Sequence, residues 1–172
     1  DLVSTQIEID NDSTTSSSSV TSGLYNTNQS VELSINNNET GVIYYSLNGN
    51  DPSSSSQVYT QAINISQTTT IKFFSIDEFG NEESINTLAI QIDKLAPSSS
   101  STIATGRYNS SQAVDLSINN NENGNIHFTI NGTNPTTSSP IYSRTLDISQ
   151  TTTIKFFSVD LAGNVENIQQ VV

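Results

Sequence analysis

The sequence predicts an all-β chain made of two antiparallel β-sandwiches in tandem. Three observations predict it. The ten residues from Ser66 to Ser75, Ser-Gln-Thr-Thr-Thr-Ile-Lys-Phe-Phe-Ser, recur unchanged from Ser149 to Ser158. The offset of 83 then holds without a gap from Gly23/Gly106 to Asn81/Asn164, with 34 identities in 59 aligned pairs. Self-similarity of that length marks one repeated structural unit. Within each copy, short runs rich in β-branched and aromatic residues alternate with Asn-, Gly- and Pro-bearing turns, and no segment carries a period of 3.6.

Taken in order, the residues from Thr5 to Asp10 alternate Ile7 and Ile9 with polar neighbours and read as a strand. Shifted by 83, they align with the end of the first copy, Ile90-Gln91-Ile92-Asp93. Residues 1–10 are therefore expected to be a spare strand, either the closing strand of a neighbouring module or a donor strand. Module one is expected over 11–93 and module two over 94–172. Residues 11–22 and 94–105 are dominated by Ser and Thr and read as linkers. Pro97 is expected to stiffen the second of these.

Val31, Leu33 and Ile35 fall on one face of a strand, and the Asn-rich run ending at Gly41 makes a turn. Val42 to Leu47 is the next strand, Asn48-Gly49 a turn, and Asp51 to Ser56 a loop. Short strands are expected at Val58-Tyr59 and at Ala62 to Ile65. Thr69 to Ile76 is the strongest strand, with Ile71, Phe73 and Ser75 inward and Lys72 outward. Asp77 to Asn81 is a turn, and the closing strand spans roughly 84–93. Module two repeats the order, but Val171 and Val172 align with Leu88 and Ala89, so its closing strand is expected to be short.

Composition narrows the function. Ser, Thr and Asn make up 71 of 172 residues, and apolar residues 33%. Each module can bury only a thin core. The net charge is −12 with five Lys and Arg, which repels phosphate backbones and anionic lipid and argues against nucleic-acid and membrane-surface partners. No run approaches the ~20 apolar residues of a membrane-spanning helix. There is no Cys, which removes thiol catalysis, Cys-type zinc sites and disulfides. There is no Met either, so the sequence reads as a processed product or a piece of a longer polypeptide.

Two motif sets carry a resemblance. Tyr45-Ser-Leu-Asn-Gly-Asn-Asp-Pro52, Tyr59, Thr69 to Asp77 and Gly80-Asn81 form the first. Phe128-Thr-Ile-Asn-Gly-Thr-Asn-Pro135, Tyr142, Asp160 and Gly163-Asn164 form the second. Both resemble the immunoglobulin-like module named after the C-terminal domain of chitobiase and β-hexosaminidase. Ser46 and Asn50 depart from its pattern. The resemblance implies tandem immunoglobulin-like antiparallel β-sandwiches over most of residues 23–172. It also implies a setting among adhesin-like surface proteins of archaea or bacteria.

Chemistry-bearing residues are few. His127, the single His, aligns with Tyr44 and reads as a structural aromatic, and no Ser sits in a nucleophile elbow. No catalytic residue, cofactor or metal is expected. Asp77, Gly80 and Asn81, with Asp160, Gly163 and Asn164, read as structural turns, because they lack the acid density of a calcium loop. Carbohydrate binding is the alternative function. It would use Tyr25, Tyr44, Tyr45, Tyr59, Tyr108 and Tyr142 as stacking surfaces. Sequons place candidate glycans at Asn11, Asn28, Asn38, Asn64, Asn109 and Asn131. Isopeptide bonds from Lys72 or Lys155 would need buried Lys.

The ends are complementary. A strand carrying Thr5, Ile7 and Ile9 matches what the second module needs beside Ile168 and Val171, so the expectation is either head-to-tail strand donation between copies or ends that follow a cut through a longer array of modules. The sequence therefore reads as a non-enzymatic, extracellular structural protein of a cell-surface filament or adhesin-like stalk. Its expected partners are copies of itself or neighbouring repeats, head to tail, and, in the alternative, surface glycans.

Overall fold

A computed structural model describes residues 9–36 and 39–172. The chain divides into two compact units, the first ending at Asp93 and the second spanning Lys94–Val172. Each is an immunoglobulin-like β-sandwich, and no helix occurs among the described residues.

The first unit contains β1 (Ser16–Ser18), β2 (Gly23–Tyr25), β3 (Gln29–Val31), β4 (Leu33–Ile35), β5 (Gly41–Ser46), β6 (Gln57–Val58), β7 (Ile63–Ile65), β8 (Thr69–Asp77) and β9 (Asn86–Ile92). One sheet runs β2-β9-β8-β5-β6, antiparallel except for the parallel pair β2–β9. The opposite layer is built from β1–β4 and β3–β7. β3 and β4 are one strand interrupted at Glu32, whose carbonyl accepts the Ser19 N–H at 2.8 Å and whose own N–H donates to Ser19 Oγ at 2.9 Å. Alternation sends Val31, Leu33, Ile63 and Ile65 from one layer against Ile43, Tyr45, Ile71, Phe73, Leu88 and Ile90 from the other, and these ten residues form the core.

The second unit contains β10 (Ser99–Ser101), β11 (Gln112–Val114), β12 (Leu116–Ile118), β13 (Gly124–Thr129), β14 (Leu146–Ile148), β15 (Ile154–Asp160) and β16 (Gln169–Val171). Its sheets are β13-β15-β16, β10–β12 and β11–β14. Only five residues are fully buried in its core, Val114, Leu116, Ile126, Ile154 and Phe156, so this core is less completely covered than the first.

The serine-rich stretches expected to be linkers are not linkers. Ser16–Ser18 pairs in register with Leu33–Ile35, and Ser99–Ser101 with Leu116–Ile118. Thr14, Ser16 and Ser99 are buried. A strand of hydroxyl residues can face inward here because a carboxylate meets it. Glu83 Oε2 accepts Ser16 Oγ at 2.6 Å, Ser75 Oγ at 2.8 Å and Ser75 N at 3.1 Å, and Oε1 accepts Ser16 N at 2.8 Å. Asn86 Nδ2 adds 2.8 Å to Oε1. Glu166 repeats the clip, accepting Ser99 N and Ser158 Oγ at 2.8 and 2.6 Å. Thr14 Oγ1 donates to Ser75 Oγ at 2.8 Å, and its counterpart position holds the buried Pro97. Lys72, expected outward, is half-buried and ion-paired to Asp51 at 2.6 Å.

Partial burial alone pushes the Glu83 carboxyl up. The hydrogen bonds from Ser16, Asn86 and Ser75 outweigh it and hold the group below its ordinary value. A carboxyl lowered in the folded state contributes stability that is complete above its unfolded pKa and is lost as pH falls through the folded one. Urea unfolding is therefore expected to shift to lower midpoint on acidification from about pH 5 to about pH 3, and Glu83→Gln should flatten that response. At neutral pH the same substitution turns an amide NH₂ toward N–H and O–H donors and is expected to cost about 1–3 kcal/mol. An unchanged midpoint would show that the clip contributes nothing.

Candidate strand-accepting groove

The edge formed by β9 in the first unit and by β16 in the second bears the residues expected at the accepting end. In the first, Ile90, Gln91 and Ile92 lie between two strands. They pair in parallel with Gly23, Leu24 and Tyr25, and Ile90 pairs antiparallel with Thr69 on the other side. Ile92 N donates to Thr68 Oγ1 at 3.0 Å, and Asp93 N to the Tyr25 carbonyl at 2.9 Å. Ile90 is 1% exposed, and Tyr25 and Ile92 pack against the core. The Tyr25 hydroxyl donates to the Thr21 carbonyl at 2.7 Å, fixing the ring.

The second unit has the same frame around the position that Ile90–Asp93 fills in the first, a slot whose equivalent residues lie past Val172. Tyr108 Oη donates to the Ala104 carbonyl at 2.8 Å, Gly106 N to the Val172 carbonyl at 3.0 Å, and Val172 N to Thr105 Oγ1 at 3.0 Å. β16 reaches Val171, opposite Ile154. Past that point Gly106–Tyr108 on one side and Thr151–Thr153 on the other belong to no strand. Between them is a cavity of about 840 Å³ with Ile103, Ile148, Ile154 and Val171 among its lining residues. The apolar side chains report the difference. Tyr108 is 48% exposed while Tyr25 is packed, and Ile148 is half-buried while its counterpart Ile65 is 3% exposed.

Of the residues expected at the accepting end, Val171 lines this slot and Ile168, 42% exposed, does not. On the donor side Ile9 is 78% exposed, and Thr5 and Ile7 lie outside the described residues. Alternation in the sequence pointed to the strand. It gave no sign of Tyr108 and Arg107 on the opposite wall, and only the register of β2 against β9 shows that they belong to the slot.

The Asp–Gly–Asn segments close on themselves. Asp77 Oδ1 accepts Phe79 N and Asn81 N at 2.9 and 2.8 Å, and Oδ2 accepts Asn81 Nδ2 at 2.9 Å. Asp160 holds Asn164 N and Nδ2, each at 2.8 Å. Gly80 and Gly163, at φ 90° and 87°, take the left-handed turn position. Desolvation pushes the Asp77 carboxyl up, and the bonds from Asn81, Phe79 and Gly80 more than offset it, leaving the group lowered. No cluster of three potential metal ligands occurs among the described residues.

The sequence profile of the chitobiase/beta-hexosaminidase C-terminal domain matches residues 20–87 and 103–170. The chain belongs to this family. Chitobiase-type C-terminal modules of this kind are immunoglobulin-like and non-catalytic. No curated protein sequence matches the chain. Among solved structures, the fibronectin(III)-like modules of Clostridium thermocellum CbhA are similar at a TM-score of 0.52 and 11% identity, over 91% of each chain, a likeness of fold. The D00-D0 domain of intimin aligns at a TM-score of 0.43 and 13% identity, over 92% of this chain and 99% of that one.

In these chitobiase-type modules the remaining candidates are placed as follows. His127 is 7% exposed, stacks on Phe157 with ring centroids 5.4 Å apart, and has Nδ1 3.0 Å from the Ser139 carbonyl. Tyr44 stacks on Phe74 in the equivalent place. Tyr45 is buried, Tyr59 and Tyr142 pack against the cores, and Tyr108 alone among the tyrosines is exposed. Tyr142 also donates to Asp115 Oδ1 at 2.9 Å. Asn11, Asn28, Asn64, Asn109 and Asn131 are exposed, Asn64 on the outer side of β7, and Asn38 lies outside the described residues. Lys155, half-buried like Lys72, has its Nζ 2.8 Å from Asn134 Oδ1.

Hydrogen exchange at low protein concentration should register the slot. Amides at Thr152 and Thr153 are expected to exchange faster than those at Thr69 and Thr70, which sit in the β8–β9 ladder. Equal protection would mean that the second edge is closed.

Proposed function

We propose that the chain is a non-enzymatic, extracellular structural protein of a cell-surface filament or adhesin-like stalk, whose copies join head to tail by donating the strand that carries Thr5, Ile7 and Ile9. The observation that carries this reading is the tandem of two chitobiase-type immunoglobulin-like sandwiches in one chain, each closed around its own core. In the first unit Ile90-Gln91-Ile92-Asp93 closes the sheet edge, and Ile7-Glu8-Ile9-Asp10 presents the same alternation in the sequence. In strand donation main-chain hydrogen bonds supply affinity and alternate side chains fill the accepting groove. A heterologous contact of this type propagates as an open chain unless its rotation closes a ring. Domains of this class are typically extracellular or surface-associated, and exposed sequons suit glycan attachment there.

Light scattering on the full chain tests the reading. The molar mass is expected to climb with concentration beyond a small oligomer. The double variant Ile7→Asp/Ile9→Asp should stay at the mass of one chain with an unchanged circular dichroism spectrum, since Ile9 is exposed on its own module. A concentration-independent single-chain mass for the unaltered protein, or equal association of the variant, overturns head-to-tail donation.

A further inference from the structure

Asn is followed by Gly at Asn48-Gly49, Asn123-Gly124 and Asn131-Gly132. Such a pair can modify itself. The Gly backbone nitrogen loses its proton and attacks the side-chain carbonyl carbon of the Asn, and no Gly side chain blocks the approach. A C–N bond forms, the C–NH₂ bond breaks, and a succinimide ring and ammonia result. Water then opens the ring at either carbonyl and leaves Asp or isoaspartate. A Gly N–H already bonded to a carbonyl must give up that bond before it can react.

The structure treats the pairs differently. Gly124 opens β13 in register with Asp160, and a Cβ built on it lies 2.2 Å from the Val159 carbonyl oxygen. That peptide is packed against the neighbouring strand, with no room to bend into a ring. Asn48 and Asn131 are set alike. Both are exposed, each precedes a Gly at φ 77°, and each Oδ1 accepts the amide two residues on at 3.1 Å. This turn folds the side-chain carbon back over the intervening Gly nitrogen, and the donated N–H draws electrons from that carbon. Thr133 Oγ1 also donates to Asn131 Oδ1 at 2.7 Å and pins that side chain. The two sites part at the nitrogen itself. Gly132 N–H donates to the Thr153 carbonyl at 3.2 Å, whereas Gly49 N–H has no hydrogen-bond acceptor among the described residues.

We propose that Asn48 is a site of spontaneous covalent modification, deamidating through a succinimide closed by the Gly49 nitrogen, and that the fold protects Asn131 and Asn123 from the same reaction. Each event adds a negative charge to a chain already at −12. The isoaspartate product threads the backbone through the side chain. It thereby lengthens the turn that joins β5 to Asp51, the partner of Lys72. Ser46 Oγ, which donates to the Asn50 carbonyl at 2.5 Å across that turn, is the contact most directly strained.

Peptide mapping by mass spectrometry tests the proposal, on the full chain produced without glycans and incubated at mildly alkaline pH. The mass gain that marks OH in place of NH₂ is expected first in the peptide bearing Asn48. Its rate there should exceed that at Asn131 by about twofold to tenfold, the worth of one amide hydrogen bond. The rate at Asn123 should be the slowest. In urea, where the bond to Thr153 is gone, the rates at Asn48 and Asn131 should converge. Asn48→Gln should remove the early product with an unchanged circular dichroism spectrum, since the longer side chain forms no five-membered ring. An Asn48 that stays intact, or reacts no faster than Asn131 in the folded chain, overturns the proposal. A difference that persists undiminished in urea overturns protection by the fold and assigns the selectivity to local sequence.

Discussion

Satisfying buried hydroxyls is the constraint on which this fold rests. A chain so rich in Ser, Thr and Asn cannot close two sandwiches with aliphatic side chains alone, and each inward hydroxyl must find a partner or carry its desolvation penalty. The clip at Glu83 does this in one move, with two oxygens serving the first strand, the central strand Thr69–Asp77 and Asn86. Glu166 does the same in the second unit. No buried side-chain polar atom among the described residues lacks a partner. The carboxylates also explain how a strand of three serines is held at the edge of the opposite layer.

Much of this was legible in the sequence, and the boundary of legibility is physical. Alternation and β-branched content gave the strong strands, because Ile71, Phe73 and Leu88 are buried for their own sake. Ser16–Ser18 has the composition of a linker and is a strand, because nothing in a run of serines signals that a carboxylate 67 residues away will meet it. The signal was present in a different form. A Glu stands six residues after the turn Asp in both copies, at Glu83 and Glu166, and a charged residue kept at one register in an otherwise hydroxyl-rich repeat marks a polar contact. The neighbourhood of Gly23–Tyr25 and Ile90–Ile92 was not legible, since the two segments are far apart in sequence and joined only through parallel pairing.

The two copies show how far a repeat carries its contacts. Their cores and turns are nearly interchangeable, down to the Tyr hydroxyl that ties Thr21 in one and Ala104 in the other. The clip carboxylate and the Asp–Gly–Asn turn recur at the same offset.

The parallel pairing of Gly23–Tyr25 with Ile90–Ile92 bears on tension. One of these strands lies near the start of the sandwich and the other at its finish, and both run in the same direction. Force applied along the backbone drags them past each other, so their cross-links share the load at once instead of opening one after another like a zipper. The first sandwich is thus built to resist stretching through the geometry of its terminal strands.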